Sequence, residues 1–173
     1  EDVPKSYADL LKRSWSGQVG LDAKSYEWFA VVIRGFGEEK GLNLMRQLAK
    51  NNPQLRNGRE LVSELVAAGE FKLALTAYSQ NFESLKERGA PVDWVALDPV
   101  YANIHPLGIS SRAPHPNAAK LFVDFLLSKA GQEIVRAQKR IPDRIDTPPE
   151  LARLVQGITP AFGSPEMYSD FTR

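Results

Sequence analysis

The sequence contains no cysteine. That absence excludes a disulfide scaffold, a thiolate metal site and a cysteine nucleophile, and leaves the redox compartment open. Histidine is nearly as scarce: His105 and His115 are the two in the chain, each beside a proline and without ligand spacing such as Glu-x-x-His, so neither marks a metal site. A surplus of charge of one sign is also missing. The net charge of +1 gives no clustered basic excess, so nucleic acid is not an expected partner. No run approaches the roughly 18 apolar residues of a membrane span. The opening Glu1-Asp2-Val3-Pro4 lacks a charged and then apolar leader, so any export signal is expected to have been removed or to lie outside this sequence. No Gly-x-Ser-x-Gly elbow, His-centred triad or paired-carboxylate site can be assembled, which disfavours a small α/β hydrolase or transferase. Gly35-Phe36-Gly37 with Gly41 follows a helix rather than a strand, and reads as helix termination instead of a phosphate loop.

What is present is an ordinary globular composition, 43% hydrophobic and 25% charged over 173 residues, enough for one domain or one and a part. Short strands alternate with helices, which predicts an α/β fold. Tyr7 to Leu11 reads as a short amphipathic turn and Gln18 to Leu21 as a buried strand ending at Asp22. Ser25 is a candidate N-cap for a helix over Tyr26 to Ile33, and Glu38 to Lys50 reads as the next helix, stopped by Asn51-Asn52-Pro53. Asn57 stands three residues before Glu60, the spacing of a capping box, and Leu61, Val62, Leu65 and Val66 mark the buried face that follows. Gly69 suits the left-handed position past that helix, and Phe71 to Ala77 alternates as a strand does. A further short helix around Phe82 and Leu85 should end at Gly89, with another strand over Val92 to Leu97.

The segment from Pro116 to Ser128 is apolar around most of its circumference. Pro116 suits the first helical position, and Lys120, Asp124 and Ser128 form one narrow polar stripe, so the remaining surface is expected to be covered by neighbours.

In order and spacing, VAAGEFKLALTAY, GAPVDWVALDPV, GISSRAPHPNAAKLFVDFLLSKAGQE and RIPDR resemble the extracellular solute-binding proteins of bacterial ABC importers. The branch resembled includes iron(III)- and aminoethylphosphonate-binding proteins, and the likeness covers most of residues 3 to 146. It implies a three-layer α/β/α lobe of the type II periplasmic-binding-protein fold, incomplete because the first lobe is largely missing. Residues 1–97 would form the second lobe, 98–140 a hinge return with a helix that packs on the first lobe, and 141–173 a tail packing back on the second. The implied function is capture of a small polar solute between two lobes and delivery to a membrane permease, in the periplasm or outside the cell, with no catalysis and no cofactor. The effector-sensing domain of a transcriptional regulator shares the fold and is the alternative. An isolated lobe would dock its apolar helix on itself, dimerise or leave it partly exposed.

The family places ligand groups at helix N-termini and strand ends. The matching positions are Lys24, Ser25 and Tyr26, then Asn57 and Gly58, then Tyr78. Each has a plainer reading. Ser25 and Asn57 serve equally as N-caps, worth about 1 kcal/mol each, and Tyr26 and Tyr78 as ordinary packed tyrosines. Iron-binding members carry adjacent tyrosines near the end of this strand, whereas this chain reads Ala77-Tyr78-Ser79-Gln80. A single phenol supplies fewer hard ligands, which leaves ferric iron, an oxyanion such as a phosphonate, and a small cationic metabolite all open.

Overall fold

In the computed structural model the described residues are 3–164, so residues 165–173 of the expected tail lie outside them. The chain forms two compact units, one running to Asn103 and resuming at Ile158, the other spanning Ile104–Gly157.

The first unit is built on three parallel strands, β1 (Val19–Asp22), β2 (Gln54–Arg56) and β3 (Leu73–Ala74), in the order β2-β1-β3. Register pairs Gly20 with Gln54 on one side and with Ala74 on the other. Helices α1 (Tyr26–Phe36) and α2 (Glu38–Lys50) join β1 to β2, α3 (Arg59–Ala67) joins β2 to β3, and α4 (Ser79–Glu87) follows β3. The crossover from β1 to β2 and the one from β2 back past β1 to β3 run in opposite directions across the sheet, so the right-handed rule for parallel connections places α1–α2 and α3 on opposite faces, an α/β/α sandwich. Val19 and Leu21 are buried. Between them Gly20 is required: a Cβ there would overlap the ring of Phe71, which is itself 1% exposed, and only glycine permits that approach.

The apolar breadth of α1 is used on two sides. Trp28, Val32 and Ile33 enter the main core with Tyr7, Leu10, Leu21, Met45 and Leu48. Ala30 and Val31 face Tyr101 and Ala161, which belong to the parallel pair β4 (Val100–Ala102) and β5 (Pro160–Phe162).

Tyr7 closes this core. Its hydroxyl accepts from Trp28 Nε1 at 3.2 Å and donates to Pro99 O at 3.3 Å. Burial pushes its pKa up to about 12, against a smaller lowering by the Trp28 hydrogen bond. A raised folded value means that the neutral phenol is what the fold stabilises. Its contribution is complete below about pH 10 and is lost between about pH 10 and 12, amounting to about 2–3 kcal/mol. Alkaline unfolding of the native chain is expected to show that loss, and Tyr7→Phe, less stable at neutral pH, to lack it.

The second unit holds α5 (Pro116–Leu127) and α6 (Lys129–Ala137). Ser128 separates them and caps α6 by accepting from Gly131 N at 3.2 Å. The buried Gln132 amide donates to Leu126 O at 2.9 Å and accepts from Asp143 N at 2.7 Å, tying the segment after α6 to the helix junction. Arg144 pairs with Asp146 through both carboxylate oxygens, at 2.7 and 2.9 Å.

Three expectations change. No residue of α5 is buried, and Leu121 and Phe122 are 70% and 59% exposed. The polar stripe is therefore not the sole solvent face, because within its unit α5 packs on α6 and does not acquire neighbours all round. The strand expected over Val92 to Leu97 is irregular chain, and β4 forms after Pro99 instead. The alternation from Phe71 to Ala77 yields a strand at Leu73–Ala74 alone, since the ladder runs as far as Leu75 N to Gly20 O and the next donor on β1, Asp22 N, goes to the Thr76 hydroxyl instead.

Candidate functional site

The strand order reverses at β1, where the chain first leaves toward β2 and then passes back to β3. In open α/β sheets, crevices form outside the carboxyl ends of the strands at such a switch point. Asp22, the last residue of β1, stands there. Its N–H donates to Thr76 Oγ1 at 2.8 Å, which links the ends of β1 and β3. Its Oδ1 accepts from Gly58 N at 3.0 Å and from Lys24 N at 3.4 Å, while Oδ2 accepts from Ser25 Oγ at 2.9 Å. Arg59 Nε lies 3.7 Å from the same Oδ2, both side chains being about nine-tenths buried. Burial alone would push the Asp22 carboxyl up. The Gly58, Ser25 and Lys24 hydrogen bonds and the Arg59 charge outweigh it, and hold the carboxyl below its ordinary value.

Arg59 is the hub. Its Nε donates to Ser25 Oγ at 3.3 Å and its Nη1 to Tyr78 Oη at 2.8 Å. The guanidinium lies over the rings of Tyr78 and Tyr101, 4.8 and 5.8 Å from their centroids, positions that favour a cation. Nη2 is 3.6 Å from Oε2 of Glu27, whose side chain is 42% exposed. Asn103 Nδ2 donates to Tyr78 Oη at 3.0 Å. A basic residue at the start of a helix opposes the helix dipole, so the Asp22 carboxylate is what makes Arg59 tolerable there.

The N-termini of α1, α3 and α4 begin at Tyr26, Arg59 and Ser79. Each directs backbone N–H groups that the helix itself does not satisfy toward its start. These starts gather at one sheet end around the buried guanidinium and the Tyr78 hydroxyl, which accepts from Arg59 and Asn103. Asp22, saturated by its own donors, is an anchor for that cluster and not a free ligand. Among the described residues, no group of three or more His, Cys, Asp or Glu side chains could hold a metal ion.

Of the residues expected from sequence, Ser25, Gly58 and Tyr78 meet here, the first and last through Arg59 and Gly58 through Asp22. Lys24 contributes its N–H and leaves its side chain exposed, and the Tyr26 side chain is 59% exposed beside the cluster. Asn57 is exposed and does not cap α3. Gly58 takes that position at φ 108°, with its N–H turned to Asp22, so the Asn57–Glu60 capping box does not form. Ser25 is the N-cap residue of α1 without a side-chain cap, because its hydroxyl is spent on Asp22. Sequence reasoning missed Asp22, Arg59 and Asn103. The available signal was a basic residue placed against the dipole at a helix start.

Comparison with known proteins agrees with this architecture. The Fe(3+)-binding periplasmic protein of Serratia marcescens is 25% identical over 144 residues, covering 78% of this chain and 42% of that protein. Iron-bound HitA from Pseudomonas aeruginosa superposes with a TM-score of 0.67 at 27% identity, over 87% of this chain and 52% of HitA. The periplasmic binding protein AfuA from Actinobacillus pleuropneumoniae, with exogenous fructose-6-phosphate bound, gives 0.69 at 26% identity, over 80% and 45% of the two chains. The chain thus spans about half the length of these relatives, and its sandwich is a lobe of the type II periplasmic-binding-protein fold. The family described as bacterial extracellular solute-binding protein matches residues 1–164. With the strand-end donor cluster in the lobe and the match running through both units, the chain belongs to the bacterial extracellular solute-binding proteins.

Proposed function

We propose that this chain is one lobe of the solute-capturing component of a bacterial ABC importer, acting in the periplasm or outside the cell, and that a small polar solute binds at the strand-end cluster. Lys24, Ser25, Tyr26, Asn57, Gly58 and Tyr78 line or flank that site, with Arg59 at its centre. The observation that carries the reading is the buried Asp22–Arg59–Tyr78 cluster at the switch point of the sheet. So many polar side chains gathered at one sheet end, beside three helix starts, exceed what three short helices need for capping. A second lobe, supplied by a longer protein, would provide the remaining solute contacts and cover the exposed apolar face of α5. Binding energy would then favour a closed two-lobe form, recognised by the permease. The work is capture and release, with no bond made or broken.

The test is calorimetric titration of the full-length protein that carries this chain with ferric iron plus a synergistic anion, phosphate and phosphonates. One of these is expected to saturate at a single site, and Tyr78→Phe to weaken it about tenfold, the worth of one hydrogen bond near 1.4 kcal/mol. Binding unaffected by Tyr78→Phe would move the site away from this sheet end.

A further inference from the structure

Resting on that reading, we propose that Arg59 selects an oxyanion as the solute's recognised group, and that Glu27 holds the place of that oxyanion on the guanidinium edge until solute arrives. Three edges of the Arg59 fork are assigned. Nε faces Ser25 and Asp22, Nη1 faces Tyr78, and Nη2 faces the half-exposed Glu27 carboxylate at 3.6 Å. The first contact is made by two groups that also bind one another, and the second by a half-buried tyrosine that Asn103 also holds. The third is made by a side chain that is 42% exposed, in the first turn of α1, and 3.6 Å exceeds the reach of a proper hydrogen bond. Glu27 is therefore the displaceable partner. A carboxylate is itself an oxyanion, so the place it occupies suits a phosphoryl, phosphonyl or carboxyl group, which can take the planar fork in two hydrogen bonds.

The same geometry opposes a metal cation. Any ion bound by the Tyr78 oxygen would sit beside a guanidinium nitrogen that is 2.8 Å from that oxygen, and Asp22 has no oxygen left to compensate. The preference for an oxyanion over ferric iron thus follows from one buried arginine.

Titration of the full-length protein with methylphosphonate, inorganic phosphate and ferric iron tests this. Native protein is expected to bind one of the two oxyanions and not iron. Glu27→Gln keeps the shape and removes the competing charge, and is expected to tighten that oxyanion about three- to tenfold. Arg59→Lys keeps the charge beside Asp22 and loses the fork, and is expected to weaken binding at least tenfold while melting cooperatively. Unchanged or weaker binding in Glu27→Gln, where Tyr78→Phe does weaken binding, overturns the place-holder role and leaves the site intact. Binding of an oxyanion that none of the three substitutions alters overturns the site itself. Tight ferric binding, or no oxyanion binding, overturns the selectivity.

Discussion

Asp22→Ala is expected to lower the free energy of unfolding by about 3–5 kcal/mol, because it removes the acceptor of three hydrogen bonds and strands a nine-tenths buried guanidinium. In a chain of this size that is a fall in Tm of about 10 °C. The loss should be local in origin and global in effect: Gly58, Ser25 and Arg59 each lose their shared partner, and α1 and α3 lose their tie to the end of β1. The pH dependence gives a second signature. Because the folded carboxyl is held below its ordinary value, its contribution is present above about pH 4 and disappears as pH falls through the folded value. The gap between native and variant in urea unfolding should therefore narrow on acidification. A loss below about 1 kcal/mol at pH 7 would show that the cluster does not hold the sheet end together.

Gly41→Ala is expected to destabilise, against the usual preference. In an exposed helix interior, replacing glycine by alanine gains about 1 kcal/mol. Here the added Cβ would lie 2.5 Å from both Cα and O of Ile33, a residue with no exposed surface. Since the obstacle is backbone and not the end of a flexible side chain, α1 and α2 must move apart, and the core of Trp28, Ile33, Met45 and Leu48 opens with them. A net loss of about 2 kcal/mol is expected for Gly41→Ala, and more for Gly41→Val, from overpacking. Denaturant midpoints of the two variants measure this. A midpoint for Gly41→Ala at or above the native value would contradict the close crossing.

How far the sequence foretold this depended on whether each signal was local. Helix α2 was legible from end to end as Glu38–Lys50, because its apolar spacing and the Asn51-Asn52-Pro53 stop all lie within the segment. The starts of α1 at Tyr26 and α5 at Pro116 were legible for the same reason. The strands were less so. Phe71 to Ala77 has the alternation of a strand, but ladder length is set by the partner, and β1 is four residues long. In α5, composition correctly marked apolar residues, while the covering expected for them depends on what else is present to pack. The site shows the same split. Ser25, Gly58 and Tyr78, three members of the cluster, stand at turn and strand ends, which are visible in sequence. Arg59 is not legible in that way, although it immediately follows Asn57 and Gly58, because its place in the cluster depends on Asp22, 37 positions earlier in the chain. That pairing exists only once β1 and β2 are side by side.

The most direct test of the account is a two-dimensional amide and guanidinium NMR titration of the chain with methylphosphonate and, separately, phosphate. One lobe alone is expected to bind weakly, in fast exchange. Progressive shifts are expected, concentrated at Ser25, Tyr26, Gly58 and the Arg59 side-chain Nε–H, with α5 and α6 unmoved. Absence of shifts with both oxyanions, or shifts centred away from the carboxyl ends of β1 and β3, would contradict it.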